Sequence, residues 1–304
     1  MKPKHLTTLL YWEKENIEEV LNLASKVKKD KEKYRDKLKG KSLAMIFEKP
    51  STRTRVSFTQ AMWEVGGLPI YLSANDLQLG RGETIEDTAK VLSRYVQGIM
   101  ARVYRQSTIE ELAKYSSVPV INGLSDLFHP CQVLADFQTI EEKLGSIKNI
   151  KLTYIGDGNN MAHSLMVISA KLGVDVSIIS PINYMPNAWV VEKVKEVAKK
   201  SGSKVTITEN LEEVKGSDVV VTDTWLSMGQ EDPGGIKRKT FEPYRVNQKI
   251  MKMAKESAIF MHCLPAHRGE EVEAEVIDGP QSVIFDEAEN RLHAQKALLI
   301  YLLS

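Results

Sequence analysis

Short apolar runs alternate with amphipathic segments along almost the whole chain, and this alternation restricts the fold more than any other feature of the sequence. Short apolar runs between turn residues are typical of buried strands, whereas longer segments with a 3.6-residue apolar period indicate helices. Strands that alternate with helices form parallel sheets that helices cover on both faces, so we predict an α/β fold. The predicted strands are 42–47, 69–72, 98–103, 118–121, 151–155, 174–179, 204–208, 218–222, 258–262 and 282–285, and the predicted helices are 14–30, 52–65, 84–95, 107–116, 130–144, 161–172, 188–200, 247–256 and 287–303.

The length and composition of the chain fit two globular domains. The chain has 304 residues, of which 42% are hydrophobic and 27% are charged, and its net charge is +1. No basic run indicates nucleic-acid binding, and no apolar run is long enough to span a membrane. Gly145 ends a long helix before the alternation of strands and helices restarts. We therefore predict domains at 1–145 and 146–286, and a C-terminal helix at 287–304 that packs back on the first domain.

The N-terminus and the cysteines both indicate a cytoplasmic protein. The first residues, MKPKHLTTLLYWEKE, lack the apolar core of a signal peptide. Cys131 and Cys263 could pair, but so few cysteines are more typical of reduced thiols.

Polar segments follow most of the predicted strands, at the edge where the ligands of an open parallel sheet bind. Because this pattern recurs in both halves of the chain, we predict two domains whose loops face each other across a cleft that holds the active site. The segments are STRTR (51–55), Arg102, SDLFHPCQ (125–132), GDGNN (156–160), DTWLSMG (223–229) and HCLPAHR (262–268).

The segment STRTR places two arginines at the predicted start of a helix, where cationic side chains oppose the helix dipole. Ser51 is a good N-cap for this helix. Backbone N–H groups, hydroxyls and guanidinium groups together would bind a phosphate or a similar dianion. The alternative is a Ser-capped helix whose arginines lie in solvent, and the segment alone does not decide between the two.

The segment GDGNN lacks the third glycine of a dinucleotide-binding turn, which argues against a nicotinamide cofactor. A tight turn between strand and helix needs only Gly156 and Gly158. Asn160 then lies at a helix start, where its amide could bind a carboxylate.

His129 is either a packing or capping residue or a ligand-binding residue. Gln132 lies one turn further along the same helix, and the two side chains could hydrogen-bond a planar carbonyl and its amide nitrogen. The histidines and cysteines of the chain show no CxxC or HxxxH spacing, so we predict no metal site.

Cys263 and Asp223 each end a predicted strand of the second half. Cys263 is next to His262 and could be a nucleophile, a buried structural cysteine, or a residue that helps hold an amine. Asp223 is the better candidate for binding the amine, because aspartate is disfavoured in strands and functional residues gather at strand ends.

Six ordered motifs closely resemble those of the aspartate/ornithine carbamoyltransferase family, over essentially the whole chain: STRTR, MAR, HPCQ, GDGNN, DTWLSMG and HCLPAHRGEEV (262–272). STRTR, an arginine in MAR (100–102) and HPCQ (129–132) are similar to segments shared across the family, whereas DTWLSMG and HCLP resemble the ornithine enzymes more specifically. The resemblance implies transfer of a carbamoyl group from carbamoyl phosphate to the δ-amine of L-ornithine, which gives L-citrulline and phosphate. It also implies direct attack through a tetrahedral intermediate, without a metal or an organic cofactor, in arginine biosynthesis or in the reverse, catabolic direction.

The resemblance also implies roles for individual residues. Arg102, His129, Asp223 and Cys263 match catalytic residues of the family. The residues that match carbamoyl-phosphate contacts are Ser51, Thr52, Arg53, Thr54, Gln78, Arg102, His129, Gln132, Cys263, Leu264 and Arg291, and those that match ornithine contacts are Asn160, Asp223, Ser227 and Met228.

Three alternatives remain open at this stage. The enzyme could use another amine, such as putrescine or N-acetylornithine. A dinucleotide-binding oxidoreductase would need the missing glycine, and a non-catalytic binding protein would be expected to have lost residues that are all present here.

Members of the family are homotrimers, sometimes assembled further, so we expect a homotrimer or a larger assembly of trimers.

Overall fold

The computed structural model describes residues 2–73, 82–227 and 230–304, and the chain divides into two compact units. Unit 1 consists of Met1–Gln138 and Glu289–Ser304, and unit 2 consists of Thr139–Ala288. We predicted a domain boundary at residue 145, where the predicted helix 130–144 ends. The two units instead divide between Gln138 and Thr139, inside that helix. Among the described residues, no helix is long and apolar enough to cross a membrane.

Unit 1 is built on a four-stranded parallel sheet. Its apolar core includes Ile46, Ile99 and Val120 from the strands and Ile109 from a covering helix. The strands are β1 (Ser42–Phe47), β2 (Leu68–Ser73), β3 (Gly98–Arg102) and β4 (Val120–Leu124), in the order β2-β1-β3-β4, and the helices that begin in this unit are α1 (Lys14–Lys29), α2 (Thr52–Glu64), α3 (Ile85–Tyr95), α4 (Gln106–Tyr115) and α5 (Pro130–Leu144).

Unit 2 is built on a five-stranded parallel sheet. Its core includes Ile155, Ile179, Val220 and Phe260 from the strands. The strands are β5 (Lys151–Ile155), β6 (Asp175–Ile179), β7 (Val205–Thr208), β8 (Val219–Thr222) and β9 (Ile259–His262), in the order β7-β6-β5-β8-β9, and the helices that begin in this unit are α6 (Asn160–Leu172), α7 (Ala188–Ser201), α8 (Ile236–Phe241), α9 (Gln248–Met251), α10 (Ala274–Ile277) and α11 (Ile284–Leu303).

The predicted α/β class with two parallel sheets and covering helices is confirmed. The strand predicted at 282–285 is wrong, because Ser282 forms a single isolated bridge with Phe260 and α11 begins at Ile284. Asp286 and Glu287 lie in the first turn of α11, where acidic side chains favour a helix through its dipole. The predicted helix 247–256 is reduced to the short α9.

The parallel register brings distant residues to the same edge of each sheet. Phe47 at the end of β1 pairs with Arg102 at the end of β3. In the pairing of β3 with β4, the register shifts between Ala101 and Arg102. In unit 2, Thr222 at the end of β8 pairs with His262 at the end of β9. The segments that follow these strands are therefore neighbours.

The turn after β5 accepts only glycine at position 158. A Cβ atom there would lie 2.3 Å from the backbone nitrogen of Pro186 and 2.4 Å from the carbonyl carbon of Met185. The backbone N–H of Gly158 donates to the carbonyl oxygen of Tyr184 at 2.8 Å. The tight-turn interpretation of GDGNN therefore agrees with the structure, and Gly158 is required for close packing of two backbone segments.

Candidate active site

The start of α2 forms a candidate anion site in unit 1. Ser51 is the N-cap, and its hydroxyl accepts a hydrogen bond from the backbone N–H of Thr54 at 3.2 Å. The helix presents the N–H group of Thr52 and the hydroxyls of Thr52 and Thr54 at its positive end. Arg55 differs from Arg53, because its guanidinium group lies 3.7 Å from the centre of the Tyr71 ring. Of the two arginines, Arg55 is therefore held by an aromatic ring.

Arg291 joins three helices of unit 1 through buried hydrogen bonds. Its Nη1 donates to Oε1 of Gln132 at 2.6 Å, and its Nη2 donates to the hydroxyl of Thr54 at 3.3 Å. The amide nitrogen of Gln132 in turn donates to Oδ1 of Asp136 at 2.8 Å. These bonds fix the amide orientation of Gln132, and Asp136 is a member of the site that the sequence did not indicate.

Three cations come together in unit 1, and we call Lys49, Arg102 and Arg291 the cationic set. Burial, and then the charge of Arg102, lower the pKa of Lys49, whose Nζ lies 4.7 Å from the centre of the Tyr104 ring. Arg102 and Arg291 are 7% and 4% exposed. Three like charges give this region a positive potential that favours an anionic ligand, although the carboxylates of Asp126 and Glu48 oppose the lowering of the Lys49 pKa.

His129 is buried beside the cationic set. Burial, followed by the charges of Arg291 and Arg102, lowers the pKa of His129 well below its usual value of 6.5. The imidazole is therefore neutral at physiological pH and carries one N–H donor. A neutral imidazole can donate a hydrogen bond to a carbonyl oxygen without adding a further charge.

Asp223 is the centre of a second candidate site, in unit 2. Its Oδ2 accepts a hydrogen bond from Nδ2 of Asn159 at 2.9 Å. Its Oδ1 accepts from the backbone N–H of Thr224 at 2.8 Å and from the thiol of Cys263 at 3.3 Å. We call Asp223, Asn159, Thr224 and Cys263 the Asp223 network. It presents a half-buried carboxylate, which is suited to binding an ammonium group.

Asn159 is a site residue that the sequence reasoning missed. Its side-chain oxygen caps α6 by accepting from the N–H groups of Met161 and Ala162, so the helix begins at Asn160 rather than at 161 as predicted. The phenol of Tyr154 also reaches this oxygen, at 3.5 Å. An asparagine before a helix was a visible signal for the cap, but nothing in the sequence indicated its bond to Asp223.

The contacts of His262 argue against Cys263 as a nucleophile. A cysteine nucleophile needs an adjacent base, and His262 was the nearest candidate. However, its Nδ1 accepts from the N–H of Leu264 at 2.9 Å, and its Nε2 lies 3.1 Å from Oε1 of Glu271. Both ring nitrogens are therefore engaged elsewhere, and the thiol of Cys263 donates to Asp223 instead.

The segment that follows the Asp223 network is anchored to the turn after β5. Ser227 and Gln230 exchange two hydrogen bonds, and Nζ of Lys237 lies 2.7 Å from Oδ2 of Asp157 and 3.1 Å from Oε1 of Gln230. Burial raises the pKa of Asp157, although the hydrogen bond from Lys237 opposes this shift. The sequence reasoning did not identify Asp157 or Lys237. Gln78 and Met228 of the predicted site lie outside the described residues.

Two groups of side chains in the described part of the chain have ligand atoms close enough to hold a metal ion. They are Asp223, His262 and Cys263, and His267, Glu270 and Glu271. In the first group, the thiol of Cys263 donates to Asp223, and both ring nitrogens of His262 are engaged. In the second, Glu271 accepts from the N–H of His267, and Glu270 binds Arg238. The hydrogen bonds within the protein therefore account for both arrangements.

Comparison with known proteins gives one consistent result. The carbamoyl-phosphate-binding domain of aspartate/ornithine carbamoyltransferases matches residues 4–142, and the aspartate/ornithine-binding domain matches residues 148–302. An ornithine carbamoyltransferase of Caldicellulosiruptor saccharolyticus is 54% identical over 301 residues, which is 98% of each chain. The structure of the ornithine carbamoyltransferase from Pyrococcus furiosus has a TM-score of 0.95 and 53% identity, and it covers 99% of this chain and 97% of its own. That of the anabolic enzyme from Campylobacter jejuni has a TM-score of 0.93 and 45% identity, and covers 99% of each chain.

Replacing Arg291 with methionine is expected to weaken the binding of inorganic phosphate to the protein. The substitution removes two buried donors while keeping a long apolar stem, and the loss of hydrogen bonds to a charged group is worth about 1.5–3 kcal/mol, or roughly tenfold to a hundredfold in affinity. Isothermal titration calorimetry with phosphate measures this change. Arg55→Met is the matched control, since Arg55 stacks on Tyr71. Equal losses in the two variants would contradict the assignment.

His129 is expected to stay neutral as the pH is lowered to about 6. The nitrogen resonances of its imidazole should not titrate in NMR spectra of the phosphate-free protein, because its pKa lies well below 6.5. The unfolded chain takes up a proton at this histidine near pH 6.5, so its contribution to the free energy of unfolding is present above that pH and is lost as the pH falls. An imidazole that titrates near its usual pKa would refute the assigned environment, and His129→Asn identifies the resonances.

Proposed function

Because the chain belongs to the aspartate/ornithine carbamoyltransferase family, we propose that it transfers the carbamoyl group of carbamoyl phosphate to the δ-amine of L-ornithine. The products of this reaction are L-citrulline and phosphate. The observation that carries the proposal is the Asp223 network, which offers an amine-binding carboxylate in the domain that matches the aspartate/ornithine-binding model. The names of the relatives support ornithine over putrescine or N-acetylornithine as the amine.

Carbamoyl phosphate is proposed to bind in unit 1 with its phosphate at the start of α2. The helix dipole, the hydroxyls and the cationic set all favour a dianion there. The carbamoyl group would then lie near His129 and Gln132, which offer hydrogen bonds to a carbonyl oxygen and an amide nitrogen. The proposed contacts are Ser51, Thr52, Arg53, Thr54, Gln78, Arg102, His129, Gln132, Cys263, Leu264 and Arg291.

Ornithine is proposed to bind in unit 2, with its side-chain amine at Asp223. A free alkyl amine has a pKa near ~10 and is mostly protonated at neutral pH, so the enzyme must deliver it deprotonated and aligned. We assign that task to Asp223 and Cys263, which are already hydrogen-bonded to each other. Asn160, Ser227 and Met228 are the further proposed ornithine contacts.

The proposed reaction proceeds by direct attack of the amine nitrogen on the carbonyl carbon of carbamoyl phosphate. A tetrahedral intermediate forms, and negative charge develops on the carbonyl oxygen. Arg102, neutral His129 and Thr54 are proposed to meet this charge as preorganised donors. The C–O bond to phosphate then breaks, and one proton of the attacking nitrogen passes to the leaving phosphate group, which departs as HPO4²⁻. Phosphate leaves as a stabilised dianion, so no step in this scheme requires a metal or an organic cofactor.

We propose that the enzyme works in the anabolic direction in the cytoplasm, in arginine biosynthesis. A relative from Pyrococcus furiosus that is named an anabolic ornithine carbamoyltransferase is 58% identical over 267 residues, which is 86% of this chain and 84% of its own. Neither Cys131 nor Cys263 is in a disulfide, which suits a reducing compartment.

Formation of citrulline from carbamoyl phosphate is expected with L-ornithine and not with L-aspartate, putrescine or N-acetylornithine. The variant Asp223→Asn should lower kcat by about 10²–10³, because it removes the charge that positions the amine. Asp175→Asn is the control, since Asp175 is exposed and lies at the start of its strand. If one of the other three amines reacts in place of ornithine, that amine is the substrate. If none of the four amines reacts, the proposed function is refuted.

A homotrimer is the proposed assembly, with larger assemblies of trimers as an extension. Apolar side chains are exposed on α2 and on the neighbouring edge strand β2, including Val56 at 60%, Trp63 at 67% and Leu68 at 60%. Such a face favours contact with another subunit. Light scattering should therefore give about three times 34.2 kDa, and Trp63→Glu should reduce that mass. A monomeric mass for the unmodified protein would refute this assembly.

A further inference from the structure

A buried hydrogen-bonded pair, His262 and Glu271, lies beside the turn that carries Cys263 and Leu264. The side chains of His262 and Glu271 are both 0% exposed, and Nε2 of the imidazole lies 3.1 Å from Oε1 of the carboxylate. Burying an ionisable pair costs desolvation free energy that an apolar pair of similar size would avoid. Neither residue belongs to the proposed set of substrate contacts, so the pair calls for an explanation.

The hydrogen bonds fix which nitrogen of His262 carries the proton. Nδ1 faces the backbone N–H of Leu264 at 2.9 Å, so Nδ1 must be the acceptor and the proton must be on Nε2. The Nε2–H group then donates a hydrogen bond to the carboxylate of Glu271. The partner of one ring nitrogen thereby sets the state of the other, as in the histidines of metal sites and catalytic triads.

Glu271 is itself held in its ionised form. The same Oε1 accepts the backbone N–H of His267 at 2.6 Å, and Oε2 lies 3.5 Å from Nδ1 of His267. Burial by itself would raise the pKa of Glu271, but the hydrogen bonds from His262 and from the N–H of His267 outweigh burial and hold the pKa below its usual value. A second carboxylate, Glu287, accepts the backbone N–H of His262 at 2.9 Å. Hydrogen bonds thus hold both the backbone N–H and the imidazole ring of His262.

The turn that His262 supports has a conformation that leucine does not favour. Leu264 has a φ of 58°, in the left-handed region that residues other than glycine rarely adopt. Such a conformation persists where the surroundings over-determine it, and the bond from the Leu264 N–H to His262 is one such constraint. The preceding residue, Cys263, donates its thiol to Asp223 at 3.3 Å.

We propose that Glu271 is a positioning residue of the transferase reaction, which fixes the tautomer of His262 so that the imidazole holds the Cys263–Leu264 turn against Asp223. This inference rests on the proposed function for its kinetic consequence. Its structural part, the control of the Cys263 thiol by a buried carboxylate, is independent of which amine the enzyme uses.

The first experiment compares Glu271→Gln with Glu271→Leu in the full-length protein. The amide oxygen of glutamine can still accept from Nε2 of His262 and from the N–H of His267, so kcat for citrulline formation should stay within about fivefold of the parent. Leucine removes the acceptor, so the imidazole of His262 is no longer held in one tautomer. We therefore expect kcat to fall by roughly 10–100-fold. The KM for carbamoyl phosphate should stay near the parent value in Glu271→Gln and rise in Glu271→Leu, because Cys263 and Leu264 on this turn are among the proposed carbamoyl-phosphate contacts.

The reactivity of Cys263 provides a readout that does not depend on turnover. Iodoacetamide labelling followed by mass spectrometry should modify Cys263 about tenfold faster in Glu271→Leu than in the parent, because the Cys263–Leu264 turn is no longer held by His262. In Glu271→Gln, which keeps the acceptor, the labelling rate should stay near that of the parent. Cys131 is the internal control, since it is buried and burial raises the pKa of its thiol to about 12. Arg268→Met is the matched control variant, because it breaks only an exposed ion pair with Asp278 in the same segment.

The tautomer of His262 can be tested without any variant at Glu271. Nitrogen NMR of histidine-labelled protein should show His262 with its proton on Nε2 and Nδ1 as an acceptor at neutral pH. A proton on Nδ1, or an imidazolium ion, would overturn the proposal even if Glu271→Leu fails to fold. Equal losses of kcat in the two Glu271 variants, or an unchanged labelling rate in Glu271→Leu, would also overturn it. If the parent protein makes no citrulline, the proposed function fails, while the labelling and NMR results still decide the structural part.

Discussion

Parallel pairing of strands is the constraint on which the rest of this structure depends. In both sheets every described pair is parallel, so each strand delivers the segment after it to the same edge. The pairing of Phe47 with Arg102 and of Thr222 with His262 places the chemically important residues directly after paired positions. The chemistry of the site is therefore assembled by backbone hydrogen bonds, and the side chains refine it.

The candidate site of unit 1 and that of unit 2 carry opposite electrostatic character, and each is maintained by different contacts. In unit 1, the buried cations Arg102 and Arg291 depress the pKa of His129, so charge is concentrated where a dianion would offset it. In unit 2, Asp223 accepts hydrogen bonds from Asn159, Thr224 and Cys263, and none of these three donors is a cation. The first arrangement concentrates positive charge around a neutral imidazole, whereas the second presents an ordered acceptor.

Much of the fold and the outline of the site could be predicted from the sequence, because they depend on local patterns. The cap at Ser51, the strands 42–47 and 151–155 and the placement of Asp223 after an apolar strand all follow from neighbouring residues. The partners of these residues could not be predicted. The bond of Asn159 to Asp223 and that of Arg291 to Gln132 join residues far apart in the chain, and only the packing of the sheets and helices brings them together. The false strand at 282–285 arose because three apolar residues suit a strand or a helix equally, and the acidic residues after them decided for the helix.

The position of Arg291 in the chain has a consequence for how the protein is made. Unit 1 is discontinuous, because its last residues, Glu289–Ser304, are separated from its first 138 residues by the whole of unit 2. Synthesis proceeds from the N-terminus, so the strands and helices of unit 1 leave the ribosome long before Arg291 and the buried Lys296, which binds Glu64, exist. A nascent chain therefore carries Thr54 and Gln132 without the arginine that joins them. The hydrogen bonds of Thr54 and Gln132 to Arg291 can therefore form only after the whole of unit 2 has been synthesised.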